Sequence, residues 1–228
     1  MLKPTSVLTK RQLSFLDVFS DSPFVKKFYL TGGTALCGFY IPYRYSEDLD
    51  FFSPDEVDSK AIIVWLKSKK TRLGYRSLDV QTTFNRNLIF LQFDKETLKT
   101  EFTYYPFSAK SNNKYKQITV DSLEDIALNK LFTIYQNPRL RDYMDLYMIL
   151  TKDGFRLSQL RADAKIKFDW NIDAIQLGTQ LLKVKEEKDV PKVVGKFDFD
   201  KMEEFYVTCV KEMKSEITMV KKSAMRFV

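Results

Sequence analysis

The chain has 228 residues, of which 44% are hydrophobic and 29% are charged, and its formal net charge is +7. This composition is typical of a globular protein with a sizeable core. The absence of histidine excludes histidine-based catalytic triads and histidine-ligated zinc, and two cysteines are too few for a disulfide framework.

Neither end of the chain nor its interior carries a membrane signal. No apolar run approaches the roughly 20 residues of a membrane-spanning helix, and the first residues, MLKPT, lack the apolar stretch of a signal peptide. We therefore expect a cytoplasmic protein with no membrane partner. The positive charge suits an acidic partner such as RNA, but it is spread evenly along the chain and marks no nucleic-acid-binding arm.

The first predicted elements are a short helix at residues 11–20 and a buried strand at residues 28–31. Gly32, Gly33 and Thr34 then turn the chain into a brief apolar helix. Glycine allows the backbone amides of such a turn to approach a phosphate closely, and the N-terminus of the following helix adds a positive dipole. This turn is therefore a candidate phosphate-binding element, although most Gly-Gly pairs are ordinary turns.

Two aspartates follow this turn, in the segment RYSEDLDFF of residues 44–52. Side chains alternate between the two faces of a strand, so Asp48 and Asp50 are predicted to point the same way. Mg²⁺ prefers oxygen ligands and binds through one or two carboxylates together with substrate phosphates. The pair therefore predicts a site for a divalent cation carrying a nucleoside triphosphate, although a strand with two solvated acids is the simpler alternative.

An amphipathic helix is predicted at residues 57–72, with Gly74 as its stop, followed by three strands. We place the strands at residues 75–84, 88–93 and 98–107, with turns at 85–87 and 94–96. Glu101 lies on the last of these strands, where the simplest interpretation is an edge-strand charge that faces solvent. The order of elements predicts a mixed α/β sheet flanked by helices.

Helices dominate the remainder of the chain. The first begins at residues 121–124 with an acid or hydroxyl cap, Asp121 or Ser122, and Glu124 three residues after Asp121 forms a capping-box pattern. This helix places Lys130 on its apolar face. A lysine there either extends past the core to solvent or directs its ammonium at a triphosphate. The next helix, at residues 139–150, carries Asp142 and Asp145 on a shared edge, where the spacing allows Asp145 to pair with Arg141 in a surface ion pair.

Three further helices are predicted at residues 157–167, 172–185 and 201–217, and they form a helical C-terminal subdomain. We predict an α/β core at residues 1–118 and a helical region at residues 119–228. Residues 119–150 of that region are expected to contribute to the active site.

The motifs GGTAL and RYSEDLDFF, followed by a lysine-bearing helix and an Arg-Asp-x-x-Asp helix, resemble the nucleotidyltransferase superfamily and its AbiEii-type toxin branch. The resemblance covers residues 28–150. It implies that Arg44, Ser46 and Lys130 steady the triphosphate, that Glu101 is a third ligand or general base, and that Asp142 or Asp145 adds an acid to the site.

The resulting prediction is a nucleotidyltransferase that requires Mg²⁺, with Mn²⁺ as the alternative cation, and that moves a nucleoside monophosphate from ATP, GTP, CTP or UTP to an acceptor hydroxyl. The resemblance implies tRNA as the acceptor and a cognate antitoxin protein as a partner. The alternatives are transfer to a protein or to a small molecule such as an aminoglycoside, and a module that binds nucleotide or RNA without catalysis.

Overall fold

A computed structural model describes residues 1–107 and 111–224 of the chain, with side chains up to residue 214. The chain divides into two compact units, Met1–Ile126 and Ala127–Val228. The domain border predicted after residue 118 remains a prediction.

The described strands are β1 Tyr29–Thr31, β2 Leu49–Ser53, β3 Ser77–Thr83, β4 Arg86–Gln92, β5 Thr97–Tyr104, β6 Lys114–Tyr115 and β7 Ile118–Val120. The described α-helices are α1 Lys10–Ser20, α2 Gly32–Phe39, α3 Ser59–Ser68, α4 Lys70–Leu73, α5 Leu123–Gln136, α6 Leu140–Lys152, α7 Leu157–Phe168, α8 Ala174–Leu182 and α9 Phe199–Ala224.

The first unit contains a mixed sheet, as the sequence predicts. In the described residues its strand order is β3-β4-β5-β2-β1-β7-β6. Strand β2 pairs antiparallel with β1 and parallel with β5, while β1 pairs parallel with β7. Strand β1 leads into the glycine turn, and β2 and β5 contain candidate acids. These three strands therefore lie side by side near the centre of the sheet.

One face of this sheet is covered by an aromatic core. Phe51 of β2 and Phe102 of β5 stack with their ring centroids 5.2 Å apart, and Phe19 of α1 lies 4.3 Å from Phe51. Trp65 of α3 meets Phe19 edge-on. Burial of each such side chain contributes about 1.5–3 kcal/mol. Helices α1 and α3 thus fix which face is buried, and alternate residues of β2 and β5 point to the opposite face.

The β3–β4 hairpin corrects one sequence prediction. Residues 85–87 were predicted as a turn, but Arg86 and Asn87 belong to β4, and the connection is Phe84-Asn85. Asn85 has φ +62, and a two-residue hairpin loop requires such a left-handed conformation, which asparagine tolerates. Strand β4 therefore begins two residues earlier, and Arg86 can take part in the site.

At the start of α5 the structure selects the hydroxyl cap over the acid. The Ser122 hydroxyl accepts from the Asp125 amide at 3.0 Å and donates to the Asp125 carboxylate at 2.9 Å. The capping box therefore joins Ser122 to Asp125, which corrects the predicted pairing of Asp121 with Glu124. Strands β6 and β7 were not predicted, since runs of two and three residues are too short to show a periodicity. Their connection includes Lys116 at φ +52.

The second unit is helical, as predicted. Tyr143 of α6 donates to the Gln180 carbonyl of α8 at 2.6 Å, and Tyr206 of α9 donates to the Tyr143 carbonyl at 2.7 Å. Tyr206 is fully buried, and burial raises its pKa well above the usual value. Across residues 1–107 and 111–224, no helix has the length and hydropathy needed to cross a membrane.

Candidate active site

The face of the sheet opposite the aromatic core carries the candidate acids. Leu49 and Phe51 are fully buried, whereas Asp48 and Asp50 are partly exposed, as the alternation predicts. In the parallel β2–β5 pairing, Asp50 lies opposite Glu101. Residues directly opposite each other point to the same face of a sheet, so all three carboxylates share this polar face.

Asp48 has a cationic partner on the neighbouring strand. The Lys99 ammonium lies 2.7 Å from Asp48 Oδ2, and the two side chains are 28% and 22% exposed. The partners are 51 residues apart in sequence, and the parallel register places them together. Lys99 therefore offsets part of the repulsion between Asp48 and Asp50.

Glu101 is held by a two-point contact. Arg86 of β4 donates to both Glu101 carboxylate oxygens, at 2.9 and 2.7 Å, and Thr103 donates to one of them at 2.7 Å. Burial alone would raise the pKa of Glu101, but the hydrogen bonds from Arg86 and Thr103 outweigh it and hold that pKa below its usual value. Glu101 is therefore ionised and fixed in orientation.

The glycine turn lies directly against these groups. Gly32 has φ +71, and a Cβ added to it would collide with the Asp50 carboxylate. At Gly33 an added Cβ would meet the Arg44 guanidinium and the Ser46 hydroxyl. Both glycines are thus required by close approach, Gly32 also by its backbone conformation, and the turn contacts the segment that carries the acids.

Arg44 is almost completely buried although it is charged. Its guanidinium donates to the Tyr45 carbonyl at 3.0 Å and to the Tyr43 hydroxyl at 3.2 Å. The adjoining chain is held from α1, where Gln12 donates to the Ser46 carbonyl at 2.7 Å. Arg44 and Ser46 therefore pack on the first turn of α2, where the sequence predicts that a triphosphate binds.

Thr34 joins the glycine turn to the acids, because its hydroxyl donates to the Asp48 carbonyl oxygen. Thr31 at the end of β1 makes a second link, since its hydroxyl donates to Asp121 Oδ2 at 2.5 Å. Asp121 is fully buried and also accepts, at its carbonyl, from the Tyr40 hydroxyl at 2.6 Å. Burial and the two acids Asp121 and Asp125 raise the pKa of Tyr40 to about 12, against a hydrogen bond from Asn113 that lowers it.

The Thr34 hydroxyl gives a direct test of this connection. We expect Thr34→Val to lower the free energy of unfolding by about 1 kcal/mol, the usual net contribution of one hydrogen bond. Because Asp48 loses its tether, activity should fall by about tenfold. The matched control is Thr34→Ser, which keeps the hydroxyl and should retain most of the activity. Urea denaturation and nucleotide-transfer rates measure the two effects, and equal activity of Val and Ser variants would contradict the tethering role.

In the second unit the structure brings together the three remaining candidates. The Lys130 ammonium lies 2.7 Å from Asp142 Oδ1 and 2.7 Å from Asp145 Oδ2, and all three side chains are buried. The Arg139 amide also donates to Asp142 at 3.1 Å. Burial alone would raise the pKa of Asp142, but Lys130 outweighs it and holds that pKa below its usual value. Asp145 thus pairs with Lys130 rather than with Arg141.

The predicted site residues therefore form two groups, one in each unit. The first unit brings together Gly32, Gly33, Thr34, Arg44, Ser46, Asp48, Asp50 and Glu101. The second unit brings together Lys130, Asp142 and Asp145. Their roles toward a nucleotide remain predictions.

Sequence reasoning missed three residues of the first unit that hold this group or the adjoining Thr31 in place: Lys99, Arg86 and Asp121. Lys99 stands two residues before Glu101 on the same strand, so the alternation that selected Glu101 also places Lys99 on its face. Arg86 was assigned to a turn, and Asp121 was interpreted as a helix cap. No local signal identifies their partners, which lie 15 and 90 residues away.

The donor set on the polar face fits a hard divalent cation. Asp48 and Asp50 supply carboxylate oxygens, and the missing Cβ of Gly32 leaves the space that the Asp50 carboxylate itself occupies. Within the residues that the structure describes, no three His, Cys, Asp or Glu side chains are grouped as a metal site. Two carboxylates completed by substrate phosphates are the arrangement that Mg²⁺ commonly uses.

Comparisons with known proteins extend over most of the chain. The family model described as nucleotidyl transferase AbiEii toxin, type IV toxin–antitoxin system, matches residues 14–206. The uncharacterised protein aq_aa25 from Aquifex aeolicus is 29% identical over 208 residues, which are 90% of this chain and 97% of the relative. These similarities span both units.

Two solved structures share the fold. JHP933 from Helicobacter pylori gives a TM-score of 0.60 at 19% identity, covering 96% of this chain and 95% of that one. A second protein from the same organism, proposed to be a nucleotidyltransferase, gives a TM-score of 0.54 at 17% identity, covering 92% and 95%.

Proposed function

Because the chain belongs to the AbiEii nucleotidyl transferase toxin family, we propose that it transfers a nucleoside monophosphate from a nucleoside triphosphate to an acceptor hydroxyl with Mg²⁺ at Asp48 and Asp50. The observation that carries this proposal is the contact between the glycine turn and the acids: Gly32 lies against the Asp50 carboxylate, and Thr34 holds the Asp48 carbonyl. This contact supports adjacent positions for the triphosphate and its cation.

The residues around the turn suit a phosphate. Backbone amides at the start of α2 and the nearby Arg44 guanidinium both favour negative charge at Gly33. Asp48 and Asp50 would hold Mg²⁺, which when bound would neutralise charge on the triphosphate and on the departing pyrophosphate. The acceptor hydroxyl would give its proton to a general base, its oxygen would bond to the α-phosphorus, and the bond from the α-phosphorus to the bridging oxygen would break, releasing pyrophosphate.

Glu101 is the candidate third ligand or general base of the proposal. Both of its oxygens accept hydrogen bonds from Arg86. Oε2 accepts a single hydrogen bond and keeps a second lone pair that could reach a cation, which favours the role of ligand. The lowered pKa of this carboxylate makes it a weak base, which disfavours the role of general base. Glu101 and Arg86 otherwise act by fixing the charge next to Asp50.

We propose tRNA as the acceptor and an antitoxin protein as the partner that restrains the enzyme. The net charge of +7 supports a polyanionic acceptor. The family description, which specifies a toxin–antitoxin system, supports a protein partner. Transfer to a protein or to a small-molecule hydroxyl is the competing possibility, and the acceptor assay distinguishes them.

The test incubates the purified protein with Mg²⁺, each of the four ribonucleoside triphosphates labelled at the α-phosphate, and total RNA. We expect label in tRNA-sized RNA with the wild type and none with Asp48→Asn/Asp50→Asn. A label at the γ-phosphate should not be incorporated, because the γ-phosphate leaves in pyrophosphate.

Parallel reactions replace RNA by cell protein or by an aminoglycoside. Label in protein or in the aminoglycoside, and not in RNA, would show that the acceptor belongs to that class of molecule. Equal labelling by the double variant would refute the assignment of the two acids. Absence of label from every acceptor would refute the enzyme and favour a nucleotide-binding module.

A further inference from the structure

The proposed function leaves one charged group at the site without a role, the ammonium of Lys99. It lies 2.7 Å from Asp48 Oδ2, on the same face as Asp50 and Glu101. We propose that Lys99 is a displaceable counter-ion, which takes the place of the divalent cation at Asp48 in the free enzyme and must leave when the cation binds. This inference rests on the metal site of the proposed function.

The charge arrangement requires such a counter-ion. Asp48, Asp50 and Glu101 place three carboxylates on adjacent strands of one face, and neighbouring strands are only about 4.8 Å apart. Lys99 contacts Asp48, and Arg86 contacts Glu101. Each of these two carboxylates is therefore balanced by a basic side chain on this face, and at Asp48 that side chain stands where the cation would bind.

Lys99 and Arg86 differ in how easily each can be displaced from its carboxylate. Arg86 binds Glu101 through two parallel hydrogen bonds, a geometry that fixes both partners. Lys99 makes a single contact through a point charge on a flexible stem. The geometry of the contact distinguishes the two residues, since exposure does not: the Arg86 side chain is 54% exposed and that of Lys99 is 28% exposed. Lys99 can therefore swing away from Asp48 without disturbing the strand, whereas Arg86 stays on Glu101.

The exchange has a consequence for the order of binding. A free divalent cation must compete with Lys99 for Asp48, which lowers its affinity. A cation that arrives on a triphosphate brings negative charge with it, and that charge gives the released ammonium a new partner. Lys99 therefore favours the metal–nucleotide complex over the free cation, and it acts as a positioning residue for Asp48 in the absence of substrate.

The test measures binding of Mn²⁺ alone to the full chain, from the loss of the free-ion signal in electron paramagnetic resonance. We expect Lys99→Met to bind Mn²⁺ about 3- to 10-fold more tightly than the wild type, because a cation within contact distance of the ligand is removed. Lys99→Gln should show the same direction, and Lys99→Arg should remain close to the wild type.

Two controls define the site. Lys95→Met removes an exposed lysine from the turn before β5 and should leave Mn²⁺ affinity unchanged. Asp48→Asn should remove the tight site from both the wild type and Lys99→Met. Unchanged or weaker binding by both Lys99→Met and Lys99→Gln would overturn the proposal.

The failure of this inference can be distinguished from failure of the proposed function. If the wild type transfers nucleotide but Lys99 variants bind Mn²⁺ no better, only the counter-ion role is lost. If Lys99 variants bind Mn²⁺ more tightly but no protein transfers nucleotide, the exchange stands and the enzyme assignment falls. If Asp48→Asn binds Mn²⁺ as well as the wild type, both are refuted.

Discussion

Lys130→Met is expected to lower the free energy of unfolding by about 3–5 kcal/mol, the usual result of removing one partner of a buried ion pair. The Lys130 ammonium lies 2.7 Å from both Asp142 and Asp145, and these two carboxylates are 1% and 0% exposed. Without the lysine, two like charges remain together in a site with little water. Methionine preserves most of the side-chain volume, so lost packing contributes little to the result.

The pH dependence of this loss has a defined sign. In the wild type Lys130 holds the pKa of Asp142 below its usual value despite burial, so the stabilising contribution of Asp142 is present at neutral pH and is lost as pH falls through the lowered pKa. In Lys130→Met burial prevails and the pKa of Asp142 rises, so protonation restores stability as pH falls. The stability gap between the two proteins should therefore narrow from pH 7 toward about pH 4.

Guanidinium denaturation of the full chain at several pH values measures this gap. Lys152→Met, which changes an exposed lysine in the last turn of α6, is the matched control and should stay within about 0.5 kcal/mol of the wild type. Adding Asp142→Asn and Asp145→Asn to Lys130→Met should recover more than half of the loss. A gap that is independent of pH would show that the ion pairs do not stabilise this unit.

Gly32→Ala is expected to reduce nucleotide transfer by about 100-fold, the effect of displacing a reacting group by about 1 Å. The new Cβ would occupy the position of the Asp50 carboxylate, so the acid or the turn must move. The residue also has φ +71, where alanine is strained by about 1–2 kcal/mol. Strain and collision together should lower the free energy of unfolding by about 3 kcal/mol.

Gly74→Ala separates the effect of backbone strain from the effect of collision with Asp50. Gly74 ends α4 at φ +74, in the same unit, and an added Cβ there would meet only the Arg11 guanidinium at 4.0 Å. Gly74→Ala should therefore lower the free energy of unfolding only by the backbone strain, about 1–2 kcal/mol, and leave nucleotide transfer unchanged. Denaturation midpoints and transfer rates of the two variants provide the comparison. Equal transfer by Gly32→Ala and the wild type would contradict the close approach of the turn to Asp50.

The sequence by itself determined the parts of this protein that depend on neighbouring residues. Two-residue alternation placed Asp48 and Asp50 on one face, and the Gly-Gly pair marked the turn into α2. Helical spacing predicted both α5 and α6, and it placed Lys130 on the apolar face of α5. The motifs also indicated the family, which the family model confirms.

The tertiary structure alone decided which charges meet. Lys99 reaches Asp48 because β5 lies parallel to β2 in one register, and Arg86 reaches Glu101 through the β4–β5 pairing. Lys130 reaches both acids of α6 because two helices pack together within the second unit. Strand register and helix packing are set by the burial of the whole apolar surface. A local pattern therefore shows that a charged residue needs a partner, and the fold determines which partner it has.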